Sequence, residues 1–331
     1  MTVLDATRGT SRPRVEHSIE LDAHERAEFN ALAEQLVRTA PGLIDDPDWL
    51  AAARQLSCRL PVRLRQAIRR YRHDPGRSGT LLLAGLPIDE HGLPDTPDVR
   101  ESVEREAAGP AAVAMLIGQQ MGEVVAYRDE KSGALVQNVV PVKGLEDSQS
   151  NAGSTPLEFH IENAFHPHRP DYVGLLCLRG DHSSTAGTLV SSIRNAVPLL
   201  DGADREVLLQ PRFRTAAPPS FHSGDARPAH PVLAGSPEDP DVCLDFNATE
   251  PLDDEADAVL QRLRKVLFDV AVSLVLGPGE MAFVDNRLVL HGRSQFTPRY
   301  DGRDRWLHRV YVHTDNRRTR AHRPSGGQVL L

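Results

Sequence analysis

His160-Ile161-Glu162 sets an imidazole and a carboxylate two residues apart. In an extended strand, residues i and i+2 point to the same face, so the pair aims both groups at one point. With a histidine from elsewhere in the chain they would form a 2-His-1-carboxylate facial triad. That is the ligand set of non-haem Fe(II) oxygenases, and it leaves three positions open for a co-substrate and O2. The tripeptide alone is a weak signal. With 14 histidines in the chain, about one such triplet arises by chance, and an exposed His and Glu would read the same way.

A second pairing, His313-Thr314-Asp315, carries the commoner carboxylate. Only His322 follows it, so no downstream β core remains to supply the other histidine. We read His313 as a surface strand residue. His291 is the better third ligand: it ends the run MAFVDNRLVLH, which reads as one strand, and Gly292-Arg293 follows. Further on stands RWLHRVYV. If that segment is a strand, Arg305, Leu307 and Arg309 share a face. Two inward arginines need anions, because guanidinium groups grip carboxylates bidentately and an unpaired buried charge is costly. A small dicarboxylate beside the metal would supply one anion and an amino-acid carboxylate the other. Two surface salt bridges are the plainer alternative.

Other signatures are missing. There is no G-x-x-x-x-G-K-[ST] loop, no G-x-G-x-x-G after a strand, no G-x-S-x-G elbow and no H-E-x-x-H. Kinase, Rossmann dehydrogenase, α/β-hydrolase and zincin readings lose ground accordingly.

The elements that must position these residues fall into two textures. Residues 1–18 are polar and read as a flexible arm. Residues 19–120 read as a helical layer: AHERAEFNALAEQLVRTAP, 47–57, 60–72 with arginines on its outer face, and 98–118, interrupted by a buried strand at 80–87. From about 121 to 315, short β-type runs appear between turns: EVVAY, ALVQNVVPV, DYVGLLCL, TLVSS, VCLDF, MAFVDNRLVL and WLHRVYVHT. One long helix, DDEADAVLQRLRKVLFDVAVSLVL, interrupts them and is stopped by Gly277-Pro278-Gly279. The Pro-, Ser- and Gly-rich segment 214–240 is a lid candidate. The basic RRTRAHRPSGG reads as a frayed tail. The whole is taken as one catalytic domain over 19–331, mostly β with flanking helices.

Composition narrows the function classes. Lys+Arg number 38 and Asp+Glu 46, a net charge of 38 − 46 = −8, against a nucleic-acid partner. No apolar run reaches membrane-spanning length, and the N-terminus lacks the apolar core of a signal peptide. Cys58, Cys177 and Cys243 are too few and too scattered for a disulfide scaffold or a cysteine zinc site, which suits a cytoplasmic location.

Two blocks, HIENAFHPHRPDYVGLLCLRGDHSSTAGTLVSSIRNAVPLL and FVDNRLVLHGRSQFTPRYDGRDRWLHRVYV, resemble the clavaminate synthase-like Fe(II)/2-oxoglutarate oxygenases. Within them the similarity is to the arginine, asparagine and related amino-acid hydroxylases of antibiotic biosynthesis. The likeness is specific over about 120–200 and 280–315, and faint in the N-terminal helices and in 214–240. It implies a double-stranded β-helix (jelly-roll) core and an enzyme using Fe(II), 2-oxoglutarate and O2. His160, Glu162 and His291 would be the iron ligands. Arg305 and Thr188 would hold the distal carboxylate of 2-oxoglutarate, and Arg309 the substrate's α-carboxylate. Glu162 could also receive the α-ammonium, Ser150 and Asn151 would touch the amino-acid backbone, and Glu130 or Gln137 would add an amine or side-chain contact. The reaction implied is hydroxylation at C3 or C4 of a free amino acid, with succinate and CO2 released.

Specificity should come from Cys243-Leu244-Asp245-Phe246-Asn247-Ala248-Thr249. Arginine-hydroxylating relatives use an acidic pair near this place. Here one acid, Asp245, has Asn247 two residues on. An Asp/Asn pair offers acceptors and donors and suits the ureido group of citrulline; a guanidinium, with donors only, would prefer two carboxylates. Asn247 capping a turn is the plain alternative. Phe221, His222 and Asp225 of the lid could also contribute. Rival readings are desaturation on the same site, a metal-free jelly-roll binding protein, and a zinc hydrolase. The paired arginines and the lack of an obvious general base count against the last.

Overall fold

The structure, a computed structural model, describes residues 15–218, 221 and 228–331. Strand β1 (His17–Glu20) begins inside the stretch read as an arm and pairs in parallel with β2 (Thr80–Ala84); residues 1–14 lie outside the described residues. Between them stand three helices. In α1 (Ala23–Val37), Asp22 and Glu25 close a capping box. α2 (Pro47–Ser57) starts on an Asp46 cap with proline in its first turn, and α3 (Val62–His73) turns its arginines outward. The helix expected over 98–118 is shorter. Residues 103–104 form β3 (Val103–Glu104), and Pro110 fixes the start of α4 (Gly109–Met121), which is buried on all sides.

The β half follows: β4 (Glu123–Tyr127), β5 (Val136–Val139), β6 (Leu157–His160), β7 (Tyr172–Arg179) and β8 (Thr188–Ser192). Short helices α5 (Ile193–Ala196) and α6 (Gly202–Leu208) lead to β9 (Phe213–Thr215), β10 (Leu233–Ser236), β11 (Asp239–Val242) and β12 (Thr249–Pro251). The lid candidate 214–240 is thus partly strand. His222 and Asp225 lie outside the described residues, while Phe221 packs 4.7 Å from the Phe165 ring. The long helix α7 (Asp254–Asp269) starts on an Asp253 cap but does not run on to Gly277. The Val-Ser-Leu segment after it makes β13 (Val272–Leu274), which gains a ladder with β8.

MAFVDNRLVLH is two strands, not one: β14 (Met281–Asp285) and β15 (Val289–Arg293). Asp285 accepts the Arg287 N–H at 2.9 Å, an Asx turn that breaks the run. The break moves the chain from one sheet to the other. β1, β2, β14, β7, β16 (Trp306–His313), β4 and β17 (Val329–Leu330), with β3 and β5, make a nine-stranded sheet; β13, β8, β15 and β6 make a four-stranded one. The C-terminal segment is not a frayed tail. β17 pairs in parallel with β4, and the buried Arg323 donates to the carbonyls of Asn316 and Gly327.

Alternation along the large sheet decides what faces what. Val124, Val310, Val312 and Phe283 pack with the helices, while Val125, Leu307, Tyr311 and Val284 share a core with β6, β8, β15 and α7. This is the expected mostly-β jelly-roll with flanking helices, its two sheets face to face. Arg305 and Arg309 fall on the inner side. His313 is fully buried rather than superficial, its Nε2 3.2 Å from the His168 carbonyl.

Candidate active site

β6 ends on His160, and its antiparallel neighbour β15 sets His291 directly opposite. A Cβ on Gly292 would come within 2.5 Å of the Leu157 carbonyl, so glycine there lets the two strands approach. The imidazole centroids lie 4.4 Å apart. Glu162 stands beyond the strand and is aimed by Asn286, whose amide accepts from the Glu162 N–H at 2.7 Å and donates to its C=O at 3.0 Å. The Glu162 carboxylate lies 3.3 Å from His291 Nε2, and one ligand atom from each of the three residues falls within 4.8 Å of the others. His160 Nδ1 sits 2.9 Å from the Glu158 carbonyl; it carries the proton and leaves Nε2 free.

The electrostatics suit a cation. Burial pushes His291 below its ordinary value, with His160 adding to the effect, so it is neutral and ligand-ready. Burial would raise Glu162, but Arg309 and the imidazoles hold its carboxyl well below the usual range. Two imidazole nitrogens and one carboxylate, convergent, with His291 and Glu162 buried, fit Fe(II). A second grouping, His182 with Asp301 and Asp304, is a loop clasp: Asp304 accepts the Arg299 and Tyr300 N–H groups.

Beside this triad lies a cavity whose walls include Asn151, Thr188, Arg293, Arg305 and Arg309. Arg305 donates to the Thr188 hydroxyl at 3.4 Å, makes no ion pair among the described residues, and is lowered by burial. A buried guanidinium without an acid is what an anionic co-substrate requires. Arg309 is differently placed. Its Nη1 donates to Glu162 at 2.8 Å, its Nη2 to Glu130, and its Nε to Gln137 at 3.1 Å, while the guanidinium stacks over Tyr311. With its amide oxygen turned that way, Asn151 accepts from Nη1 at 2.8 Å. Tyr311 and Asn163 also bond Glu130.

Asn151, Glu130 and Gln137 therefore belong to one cluster. Ser150 does not join it: its hydroxyl pairs with Ser148, and only its carbonyl faces the site, accepting from Arg293. Asp245 forms an isolated bridge with His160, and antiparallel partners share a face, so its side chain emerges on the metal side. The paired Asp245/Asn247 arrangement fails. The chain turns at Asp245, which accepts the Asn247 N–H at 2.8 Å, and Asn247 is exposed.

Sequence reasoning missed Asn286 and Arg293. Arg293 was within reach of the period-two rule from His291; Asn286 carried no signal beyond a turn after an apolar run. Asn286 is fully buried and also donates to the Pro170 carbonyl at 3.0 Å. Asn286→Ala should cost about 2–4 kcal/mol of stability through stranded backbone groups. It should also weaken Fe(II) binding about tenfold or more by releasing Glu162. Chemical denaturation and metal titration check the two effects separately.

Known proteins resemble the chain over nearly its full length. A family model, taurine catabolism dioxygenase TauD, TfdA family, matches residues 102–311. The chain is 47% identical to the L-asparagine oxygenase of Streptomyces coelicolor over 96% of each chain. It is 36% identical to clavaminate synthase 2 of Streptomyces clavuligerus, covering 88% of this chain and 90% of that one. A crystal structure of asparagine oxygenase with Fe(II), 2S,3S-3-hydroxyasparagine and succinate superposes with a TM-score of 0.92 at 47% identity, covering 95% of this chain and 99% of that one. With a triad that fits Fe(II) and, beside it, the buried Arg305 guanidinium, free of an ion pair among the described residues, the chain belongs to the TauD/TfdA family and is an Fe(II)- and 2-oxoglutarate-dependent dioxygenase.

Proposed function

We propose that the protein hydroxylates C3 of free L-asparagine, as a step in natural-product biosynthesis. When bound at His160, Glu162 and His291, iron with 2-oxoglutarate and O2 supplies the oxidation that turns C–H into C–OH, releasing succinate and CO2. The chain's own residues bind, orient and exclude water. Arg305 and Thr188 hold the distal carboxylate of 2-oxoglutarate.

The observation that carries the reading is the charge pattern at the other end. Arg309 sits between two carboxylates, Glu130 and Glu162. A zwitterion matches that pattern. Its α-carboxylate takes Arg309, with Asn151 and Gln137 turning to suit. Its α-ammonium takes Glu130 and the spare oxygen of Glu162. A carrier-tethered amino acid has no free α-carboxylate to offer Arg309.

The side-chain choice rests on Asp245. One carboxylate on the metal side suits a single neutral amide NH2. A guanidinium would call for two. The citrulline expectation relied on Asn247, which faces solvent. The 47% identity to an L-asparagine oxygenase supports the same choice.

Purified protein with Fe(II), 2-oxoglutarate and ascorbate in air should add one oxygen to asparagine, read by mass spectrometry. Glutamine, citrulline, arginine, ornithine and lysine should stay at background. Oxygen added to arginine or citrulline and not to asparagine overturns the substrate and leaves the reaction standing. Asp245→Ala should lower kcat/KM for asparagine about tenfold to a hundredfold, with succinate formed in excess of product.

A further inference from the structure

Arg293 has no role in the reading above, yet it is buried as deeply as His291 and Arg305. It stands two residues after His291 on the same strand, is 5% exposed, and lines the same cavity as Arg305 and Thr188. Its guanidinium makes no ion pair among the described residues. Instead, Nη1 donates to the Ser150 carbonyl at 3.0 Å and Nη2 to the Thr155 carbonyl at 2.9 Å. The two bonds clasp one loop from both ends. Between them lies Gly153, where a Cβ would come within 3.0 Å of Arg293 Nη2 and 2.1 Å of the Ser148 carbonyl. That loop also carries Asn151 to Arg309.

The third donor is left over. Arg293 Nε is buried and has no hydrogen-bond partner among the described residues. The Arg293 and Arg305 guanidiniums lie 5.9 and 6.0 Å from the same Phe296 ring, so two cations without acids share one end of the cavity. Burial pushes Arg293 below its ordinary value, and the like charge of Arg305 adds to the effect. An arrangement of this kind is relieved by an anion that both can face.

We propose that Arg293 is a positioning residue that couples anion occupancy at the co-substrate end to the order of the 148–155 loop. A carboxylate beside Arg305 offsets the charge of Arg293 and strengthens its clasp. The clasped loop then presents Asn151 to Arg309, so the amino-acid end is completed only after the co-substrate end is filled. The inference rests on 2-oxoglutarate as co-substrate and not on asparagine as substrate.

Two variants separate charge from clasp. Arg293→Met removes both; Arg293→Lys keeps the charge but cannot reach two carbonyls in fixed geometry. Fe(II)-loaded protein is titrated with 2-oxoglutarate under anaerobic conditions, following the metal-to-ligand charge-transfer band. Hydrogen exchange over 148–155 is measured with and without 2-oxoglutarate. Wild type should show slower exchange when 2-oxoglutarate is present. Arg293→Met should bind 2-oxoglutarate about tenfold more weakly and exchange fast in both states. Arg293→Lys should bind 2-oxoglutarate within about threefold of wild type yet keep the fast loop. Loop exchange in wild type that ignores 2-oxoglutarate overturns the coupling. So does a lysine variant whose loop is as protected as wild type. Should the methionine variant not fold, the wild-type and lysine arms still decide. None of these readouts depends on which amino acid is hydroxylated, so the coupling stands or falls separately from asparagine as substrate.

Discussion

His291→Ala will leave a folded protein that no longer turns over. The loss should exceed about a thousandfold, because a metal ion supplies several kcal/mol of the barrier reduction and each 1.4 kcal/mol is about tenfold in rate. The fold should tolerate the change. His291 Nδ1 has no hydrogen-bond partner among the described residues, so removing the ring strands no backbone group there. The lost contact is the one between Nε2 and Glu162, and Glu162 keeps its pairing with Arg309. Thermal melting with and without Fe(II) tests this directly. Wild type should gain stability from the metal, since a ligand that binds only the folded state stabilises it by mass action. The variant should melt close to metal-free wild type and gain little from iron. A variant that melts far below it would mean the histidine is structural.

The triad was legible from the sequence for a physical reason. Strand periodicity of two suggested an imidazole and a carboxylate on one face, but only His160 lies in β6; Glu162 stands past its end, where Asn286 rather than the pleat aims it. Arg305 and Arg309 were read from the same period; β16 carries Arg309 inward, and Arg305, just before the strand, lines the same cavity. The elements that failed were those where periodicity stops. MAFVDNRLVLH reads as one apolar run, and only the Asp285 turn splits it between two sheets. The helix expected to reach Gly277 stops at Asp269, and residues 272–274 pair with β8 instead, a tertiary gain invisible locally. His313 and the C-terminal segment looked polar enough for solvent, yet long-range contacts with His168 and β4 bury them. The Asp245/Asn247 pair assumed an extended chain where the backbone turns. Asn286 was missed because its work is on the backbone of a residue 124 positions away.

Arg309→Met should damage the fold as well as the activity. The side chain is buried and answers Glu130, Glu162 and Gln137 together. Removing one partner of a buried ion pair leaves the other uncompensated, at a cost of about 3–5 kcal/mol. Tyr311 and Asn163 soften this for Glu130, because both still donate to it. Activity should fall below detection, but that result alone cannot separate a lost substrate contact from a collapsed site. Arg309→Lys makes the separation. An ammonium can sit between the two carboxylates and recover much of the stability, but it cannot bond Glu162, Glu130 and Gln137 at once or grip a carboxylate with two parallel donors. The lysine variant should therefore melt near wild type, bind 2-oxoglutarate normally through Arg305 and Thr188, and still show a KM for the amino acid raised at least about tenfold. Unchanged amino-acid KM in the lysine variant would move the α-carboxylate elsewhere and reduce Arg309 to the cation that keeps Glu130 and Glu162 buried.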